Sequence, residues 1–466
     1  MNAAKEKSVF QGQLIWIAPV ISFLAAWSAN EYGGLSVPAC LTMGIALWTA
    51  LWWIFEVIPI PVASLLPLAL LPLVGVLTPL QVAQKYGHPL VLLLLGGFLL
   101  SKAMEKSGAH RRIALLLVHA CPKGDKFLLL GFMLATALLS MWISNTACTL
   151  MMLPIALAVI HGTTDNRLTI PLLLGIAYSA NVGGIATPIG TPPNLVMIGA
   201  YRDLGFEELS FAQWMNFGVP VTILMVVVIW LWVGRNLSKN GSQVALPNSG
   251  KWTQAETRTL TIFALTALAW ITRSEPFGGW KTWLDLPQAN DASVAFIAVL
   301  LLFCLPSGEN KGAKLLDWKT ANQIPWGMLI LVGAGLCLGE AFKQSGLSSS
   351  IAHALSGLEN LPSILLLLGI CLLVTFLTEI TSNTATTSLL MPILGAAAIA
   401  AELDPKLLLI PAALSASCAF MLPVATIPNA VVFGTGKISI KRMAGEGFVL
   451  NLIGAGVVSC VIYFLL

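Results

Sequence analysis

The stretch Ser144-Asn145-Thr146-Ala147 recurs unchanged at Ser382-Asn383-Thr384-Ala385. Each copy separates two apolar segments, about 127–141 from 147–161 in the first half of the chain and about 363–377 from 386–400 in the second. A helix of about 15 residues rises about 22 Å, which is less than the roughly 30 Å hydrocarbon core of a bilayer. Each pair therefore predicts a re-entrant hairpin with polar residues at its tip. Two short, kinked crossings are the alternative.

The composition is typical of a chain that lies largely in a lipid bilayer. Of the 466 residues, 57% are hydrophobic and only 10% are charged, whereas about 25% are charged in an average soluble domain. The net charge of +4 is spread over short loops and forms no basic run, so no nucleic-acid partner is expected. The fold class predicted from these features is an all-α polytopic membrane protein.

About eleven apolar segments are predicted to be transmembrane helices, in addition to the two hairpins. They lie near 12–29, 37–53, 58–77, 90–104, 168–186, 211–234, 257–272, 292–305, 326–342, 408–424 and 444–466. Nineteen of the 25 Lys and Arg residues fall in segments that are cytoplasmic if the N-terminus is inside. By the positive-inside rule, we expect a cytoplasmic N-terminus and an external C-terminus in a plasma membrane, such as a bacterial inner membrane.

In that orientation the first hairpin enters from the cytoplasm and the second from the opposite face, so the two halves form an inverted-topology repeat. The pairing is regular. At an offset of 238 residues Asn145 corresponds to Asn383 and Pro154 to Pro392, and at 235 Asn194 corresponds to Asn429. The same alignment places Lys102 and Glu105 opposite Glu340 and Lys343, where we expect an i,i+3 ion pair in each half.

The repeat predicts the domain boundaries. They are an N-terminal tail and first span at 1–36, a first repeat at 37–234, a cytoplasmic linker at 235–256 and a second repeat at 257–466. The first repeat holds its hairpin at about 127–161 and a broken helix at about 168–200. The second holds its hairpin at about 363–400 and a broken helix at about 408–435.

The polar residues at the two helix breaks indicate which ligands the site can bind. They contain the related stretches Thr191-Pro192-Pro193-Asn194 and Thr426-Ile427-Pro428-Asn429. In transporters, unwound carbonyls and half-helix C-termini hold Na⁺, while half-helix N-termini attract anions. A bare dianion at membrane depth would be very costly. Because no Lys or Arg lies near these motifs, bound cations are the natural compensation, and we expect anion and cation to bind together.

Acidic and basic side chains are nearly absent from the predicted core. A proton relay, a transition-metal site and an activated nucleophile all lack the residues that they need, so an enzyme is not expected. Glu56 and Glu379 are the acidic residues nearest to membrane depth. We expect an interfacial capping or hydrogen-bonding role for Glu56. For Glu379, bracing the hairpin tip and tuning a cation site remain equally open.

These features together resemble the divalent anion:sodium symporter family, which carries di- and tricarboxylates or sulfate. The paired Ser-Asn-Thr motifs are its mark, and the segment 416–432 (ASCAFMLPVATIPNAVV) is similar to its long signature. The resemblance covers nearly the whole chain. It implies a sodium-coupled symporter for a C4 dicarboxylate such as succinate or malate, or citrate, with co-transported Na⁺ and no organic cofactor. It also implies a homodimer that works by an elevator mechanism.

The resemblance also implies roles for individual residues. It implies a first sodium site from Ser140, Ser144, Asn145 and the backbone of Gly190, and a second from Thr378, Thr381, Asn383 and the backbone of Ala425. It implies that the substrate meets Asn145, Thr146, Asn383 and Thr384 at the two hairpin tips, with Thr191, Pro192, Thr426 and Ile427 closing the site from the broken helices. For any one hydroxyl, ordinary helix–helix hydrogen bonding is the alternative.

Ile427 departs from the family pattern, which often has a proline pair in both halves. Its branched side chain beside the substrate could alter the choice among succinate, malate, citrate and sulfate. Two other functions stay open at this point. They are a carboxylate exchanger or sulfate transporter of the same fold, and an efflux permease or channel.

Overall fold

The computed structural model describes residues 2–122, 124–162, 166–238, 250–308, 312–354 and 362–466. These residues form helices and connecting turns, with one isolated β-bridge between Pro306 and Lys314. The predicted linker 235–256 falls partly outside the described residues, at 239–249. The prediction of an all-α polytopic membrane fold is confirmed.

The helices are, in chain order, α1 (Asn2–Glu31), α2 (Val37–Phe55), α3 (Ile60–Ala63), α4 (Leu66–Leu73), α5 (Pro79–Tyr86), α6 (Pro89–Ser107), α7 (Ala109–Ala120), α8 (Asp125–Ser140), α9 (Asn145–Gly162), α10 (Thr169–Gly183), α11 (Pro192–Asp203), α12 (Phe211–Val233), α13 (Gln254–Ile271), α14 (Gly279–Trp283), α15 (Asp291–Cys304), α16 (Trp318–Ala321), α17 (Trp326–Gln344), α18 (Leu347–Ala354), α19 (Ser363–Thr378), α20 (Asn383–Ala400), α21 (Lys406–Ala416), α22 (Ile427–Phe433) and α23 (Ile440–Leu465). Two 3₁₀ turns, Asn166–Leu168 and Gly184–Ala186, flank α10.

Among the described residues, eight helices are long and apolar enough to cross a membrane by length and composition. Seven coincide with predicted spans, and the eighth, Asn383–Ala400, was expected as a hairpin arm. Three other predicted spans, Ile60–Leu73, Asp291–Cys304 and Lys406–Ala416, are shorter apolar helices. The last is short because the chain leaves the helix at Ser417, inside the segment that sequence hydropathy reads as continuous.

Each Ser-Asn-Thr motif lies at a four-residue turn between two apolar helices. In the first half α8 ends at Ser140 and α9 begins at Asn145; in the second α19 ends at Thr378 and α20 begins at Asn383. The Ser144 hydroxyl accepts the Ala147 N–H at 3.3 Å, which caps α9. The two helix–turn–helix units run from Asp125 to Gly162 and from Ser363 to Ala400, beside the segments 127–161 and 363–400 that were expected as hairpins.

Both predicted breaks are present. In the first half the chain leaves α10 at Gly183 and becomes helical again at Pro192; in the second it leaves α21 at Ala416 and resumes at Ile427. Proline lacks a backbone N–H and has a fixed φ, so it suits the first turn of the resumed helix in both halves. The bends therefore follow from residues that the sequence already displays.

The two halves pack across one another at these breaks. The second arm of the first hairpin, α9, packs against α22, and the second arm of the other hairpin, α20, packs against α11. Each hairpin thus leans on the broken helix of the opposite half. This crossing joins polar residues from both halves in one packed unit.

A second body of helices lies beside that unit. Helix α17 packs against α2, α3, α4 and α5 in a second hydrophobic cluster, which also includes Ala385 of α20, and α17 packs on α20 and α11 as well. The expected Lys102–Glu105 pair is present at 2.6 Å. The prediction of a Glu340–Lys343 ion pair is wrong. Glu340 forms an ion pair with Lys85 of α5 at 3.0 Å, and Lys343 donates a hydrogen bond to the Asp203 carbonyl at 2.9 Å.

Candidate functional site

Three oxygen atoms converge at the tip of the first hairpin. The buried Ser140 Oγ lies 2.6 Å from Asn145 Oδ1 and 2.7 Å from the carbonyl oxygen of Ala180 in α10. A hydroxyl carries one hydrogen and can donate to only one of these two acceptors at a time. Oxygen groups of this kind are the ligands that hard cations prefer. The first cluster therefore consists of oxygen atoms of the kind that coordinate hard cations.

The second hairpin repeats this cluster. Thr378 Oγ1 lies 2.7 Å from Asn383 Oδ1 and 3.0 Å from the carbonyl oxygen of Ala416 in α21. A hydroxyl, an amide oxygen and a helix-end carbonyl thus occupy corresponding places in the two halves. The two clusters match, although Ser140 in the first half is replaced by Thr378 in the second.

Gly184 brings a further carbonyl towards the first cluster. A Cβ on Gly184 would lie 2.7 Å from Asn145 Oδ1 and 3.1 Å from the carbonyl oxygen of Gly190. The space beside this glycine is therefore bordered by an amide oxygen and a backbone oxygen, and a side chain would fill it. The absence of a side chain at position 184 preserves this cradle.

We expect Gly184→Ala to raise the sodium concentration that gives half-maximal transport by about tenfold, a change of about 1.4 kcal/mol. The added methyl group would displace Asn145 Oδ1 and crowd the Gly190 carbonyl. The measurement is uptake by reconstituted protein over a range of sodium concentrations. Gly456→Ala is the matched control, because a Cβ at Gly456 meets nothing within 4 Å. An unchanged sodium response in Gly184→Ala would contradict the cradle.

Paired asparagines hold the unwound backbone open. Asn194 Nδ2 donates to the Gly184 and Thr187 carbonyls at 3.0 and 2.8 Å. Asn429 Nδ2 donates to the Ala419 and Leu422 carbonyls at 3.1 Å each. The carbonyls of two further residues, Gly190 and Ala425, accept no hydrogen bond from any residue that the structure describes. Those two oxygens are left available to a ligand.

Glu379 braces the second break. Its Oε1 accepts the N–H groups of Phe420 and Met421 at 2.7 and 2.9 Å and the Asn451 Nδ2 at 2.7 Å. Its Oε2 accepts the Leu422 N–H at 3.0 Å. This buried carboxylate therefore receives four donors, three of them consecutive backbone groups of the break. Glu379 lies at the tip of the second hairpin, and its carboxylate binds the backbone of the broken helix.

The first half has no equivalent carboxylate. The residue that corresponds to Glu379 is Met141, and its backbone carbonyl accepts the Thr187 hydroxyl from the first break. Glu56, the other acid noted in the sequence, is exposed at the C-terminal end of α2, where its carbonyl accepts the Gln11 Nε2 at 3.2 Å. The two repeats therefore brace their breaks with opposite hydrogen-bond polarity.

Two hydroxyls assigned by resemblance are engaged elsewhere. Ser144 caps α9, and Thr381 donates to the Leu377 carbonyl at 2.8 Å and contacts the Thr386 hydroxyl. None of these hydrogen bonds is made to the side chain of Asn145 or Asn383. Both hydroxyls keep lone pairs, but the structure does not bring them into the two oxygen clusters.

The residues assigned to substrate differ in exposure. Thr384 and Thr191 are almost fully buried, Thr146 and Pro192 are half-buried, and Thr426 caps α22 by accepting the Asn429 N–H at 3.3 Å. Ile427 is 57% exposed, in contrast to Pro192 at the corresponding place. Ile427 therefore lies at the outer edge of the second break.

Sequence reasoning missed three residues that hold the site together. They are Gly184, Asn181 of α10 and Asn451 of α23. An amide inside a predicted span was the available signal for Asn181 and Asn451, since a buried amide needs partners. Gly184 carries no such signal, because its importance depends on what lies next to it.

The chain is similar to known transporters over most or all of its length. A family model described as citrate transporter (CitMHS) matches residues 50–405. The chain is 40% identical to the sodium-dependent dicarboxylate transporter SdcS of Staphylococcus saprophyticus and 39% identical to SdcS of Staphylococcus aureus strain MRSA252, covering all of this chain and 93% of each relative.

Two solved structures share the fold. The YdaH transporter of Alcanivorax borkumensis has a TM-score of 0.60 at 16% identity, covering 84% of this chain and 87% of that one. MtrF of Neisseria gonorrhoeae has a TM-score of 0.58 at 15% identity, covering 84% and 83%. With the paired motifs and the full-length similarity to SdcS, the conclusion is that the chain belongs to the divalent anion:sodium symporter family.

Proposed function

We propose that this chain is a sodium-coupled symporter, not an enzyme, that imports a C4 dicarboxylate such as succinate or malate. The observation that carries this proposal is the oxygen cluster that occurs once in each half. The relatives named as sodium-dependent dicarboxylate transporters support both the cation and the class of anion. The citrate transporter model supports citrate as the competing substrate.

The proposed cation sites follow the two clusters. The first uses Ser140, Asn145 and the backbone of Gly190, joined by the Ala180 carbonyl. The second uses Thr378, Asn383 and the backbone of Ala425, joined by the Ala416 carbonyl. The hydroxyl oxygens of Ser144 and Thr381 would coordinate the cations with the lone pairs that their present hydrogen bonds do not use. Neutral oxygens that surround a monovalent cation fit the choice of Na⁺.

The proposed substrate site lies between the hairpin tips. Helices α9 and α20 begin at Asn145 and Asn383, so their first N–H groups and their positive dipole ends are available to carboxylates. Asn145, Thr146, Asn383 and Thr384 would contact the anion, and Thr191, Pro192, Thr426 and Ile427 would close the site. The two bound cations would offset the dianion's charge, which explains why transport of one requires the other.

The proposed transport cycle is an elevator motion. The hairpins and broken helices cross-pack as one unit, and the α2–α5 and α17 cluster forms a second body against which it could slide. We further propose that residues 37–234 and 257–466 are inverted repeats joined by the linker, with the N-terminus cytoplasmic and the C-terminus outside. A homodimer in a bacterial inner membrane completes this proposal.

The test is uptake into proteoliposomes of labelled succinate, citrate and sulfate, each with and without an inward sodium gradient. Succinate accumulation that requires the gradient supports the proposal. Uptake that depends instead on internal dicarboxylate, without sodium, would identify an exchanger. Preferred uptake of sulfate or citrate would correct the substrate.

We expect uptake to be electrogenic. Two sodium ions only balance the dianion, so this expectation rests on the family's tendency to carry more sodium charge than substrate charge. One net positive charge moving inward gains about 2.3 kcal/mol per 100 mV. An inside-negative potential, set with potassium and valinomycin, should therefore speed succinate uptake. A rate that does not change with potential would indicate an electroneutral cycle or an exchanger.

We also expect succinate, but not butyrate, to compete for uptake. A C4 dicarboxylate can engage both hairpin tips, whereas a monocarboxylate of equal length leaves one tip unpaired, at about 1–3 kcal/mol for each buried polar group. Thr146→Val and Thr384→Val should weaken succinate affinity more than sodium affinity. Competition by butyrate, or a Val variant that loses sodium affinity alone, would contradict a site shared by two tips.

A further inference from the structure

A side chain of the first half reaches into the break of the second. Asn181 in α10 is 1% exposed, and its Nδ2 lies 3.2 Å from the Ala419 carbonyl oxygen, 3.1 Å from Thr426 Oγ1 and 3.3 Å from Asn429 Oδ1. Partners 238 to 248 residues away in sequence thus share one amide.

The orientation of this amide is fixed by its partners. A carbonyl can only accept, so the nitrogen of Asn181 must face Ala419. Asn429 is oriented in the same way, because its own nitrogen donates to the Ala419 and Leu422 carbonyls and leaves its Oδ1 for Asn181. Two hydrogens therefore serve three acceptors, and the Asn181 Oδ1 is buried without a hydrogen-bond partner in the described part of the chain.

The residue next to Asn181 belongs to the first cluster. The Ala180 carbonyl is 2.7 Å from Ser140 Oγ, so adjacent residues of one helix turn contact the oxygen cluster of the first half and the break of the second. Tyr178 adds to this connection, since its hydroxyl donates to the Phe420 carbonyl at 2.8 Å. A shift of α10 at either place would be transmitted to the other through a rigid helix end.

The equivalent positions of the second half carry different residues. Ala180 corresponds to Ala416, so Asn181 corresponds to Ser417 and Tyr178 to Leu414. Leucine cannot donate, and the Ser417 hydroxyl is buried without a partner among the described residues. Among the described residues, the side chains at positions 414 and 417 therefore make no hydrogen bond to the first half that would match those of Tyr178 and Asn181.

We propose that Asn181 couples the two cation sites, so that sodium at the first cluster pre-orders the second break. This inference rests on the proposed function, because it requires cations at both clusters. Sodium drawn to Ser140 and Ala180 would fix the end of α10 and, through Asn181, the positions of Thr426 and Asn429. Coupling of this kind appears as a change in the affinity of one site when the other is altered.

The experiment uses the full-length protein with Cys418 as its only cysteine, reconstituted in nanodiscs. Cys418 lies within the second break and is fully buried, so its rate of alkylation reports opening of that break. The sodium concentration that half-protects Cys418 is measured in four proteins: the parent, Ser140→Ala, Asn181→Ala and the double variant. Ser140→Ala alters the first cluster only.

We expect Ser140→Ala to raise the half-protecting sodium concentration about fivefold in the parent background and to leave it unchanged when Asn181 is already Ala. An equal shift in both backgrounds would overturn the role of Asn181. Absence of sodium protection in the parent would instead show that the second cation placement, and with it the proposed function, is wrong.

Two further variants keep the test decisive. Ser417→Ala removes a hydroxyl without a partner at the corresponding position, and the fivefold effect of Ser140→Ala should persist in that background. If Asn181→Ala does not give a single size-exclusion peak, Asn181→Ser is used instead. The serine keeps a small polar group but is too short to form the hydrogen bond to Asn429. A persistent Ser140→Ala effect in Asn181→Ser would likewise overturn the coupling.

Discussion

We expect succinate uptake to fall to background when Asn145 is replaced by Ala, and equally when Asn383 is replaced by Ala. Each Asn has its amide oxygen within 2.7 Å of the hydroxyl in its own cluster, and each begins the second arm of its hairpin. In the proposed site each amide is both a sodium ligand and a substrate contact. One truncation therefore removes two interactions, and because the cation offsets the charge of the anion, the loss of either prevents binding of both.

The measurement is sodium-driven uptake into proteoliposomes, with size-exclusion profiles to show that each variant folds. Asn322→Ala is the matched control, since Asn322 is exposed and its side chain makes no hydrogen bond to the described residues. Near-normal uptake with an unchanged sodium response in either cluster variant would show that the cation sites are placed wrongly.

The second large effect is expected from Glu379→Gln, which should lower uptake by about tenfold or more. The carboxylate accepts four donors, and a glutamine in its place presents an NH₂ group to at least one of them. If the oxygen of the amide stays with Phe420 and Met421, the nitrogen faces the Leu422 N–H at about the former 3.0 Å. Leaving a buried backbone N–H unpaired costs about 1–3 kcal/mol, and more when the lost partner was charged.

Glu56→Gln is the control for this variant, because Glu56 is the other acid near membrane depth and is exposed. Thr187→Val tests the corresponding brace of the first half, where the hydroxyl donates to the Met141 carbonyl. If Glu379→Gln transports normally and has unchanged thermal stability, the carboxylate does not hold the break. If Glu56→Gln is equally impaired, the effect is not specific to the brace.

The sequence alone indicated the architecture, because helix length, proline position and hydropathy are local properties. The paired Ser-Asn-Thr motifs predicted the two turns, and the related stretches 191–194 and 426–429 indicated the two broken helices. Ser140 lies beside Asn145 and Thr378 beside Asn383, and the family resemblance had assigned each pair to one sodium site. These pairs are five residues apart, across one turn, so a local pattern suffices to bring them together.

Only the tertiary structure decided which polar groups face each other across the halves. Ser144 and Thr381 form hydrogen bonds within their own hairpins, while Asn181 crosses to the opposite break and Glu379 is joined by Asn451, 72 residues further along the chain. The last two contacts depend on how α10 packs on α22 and α19 on α23. Periodicity and composition do not encode that crossing, because it is set by the complementary shapes of side chains that are distant in sequence.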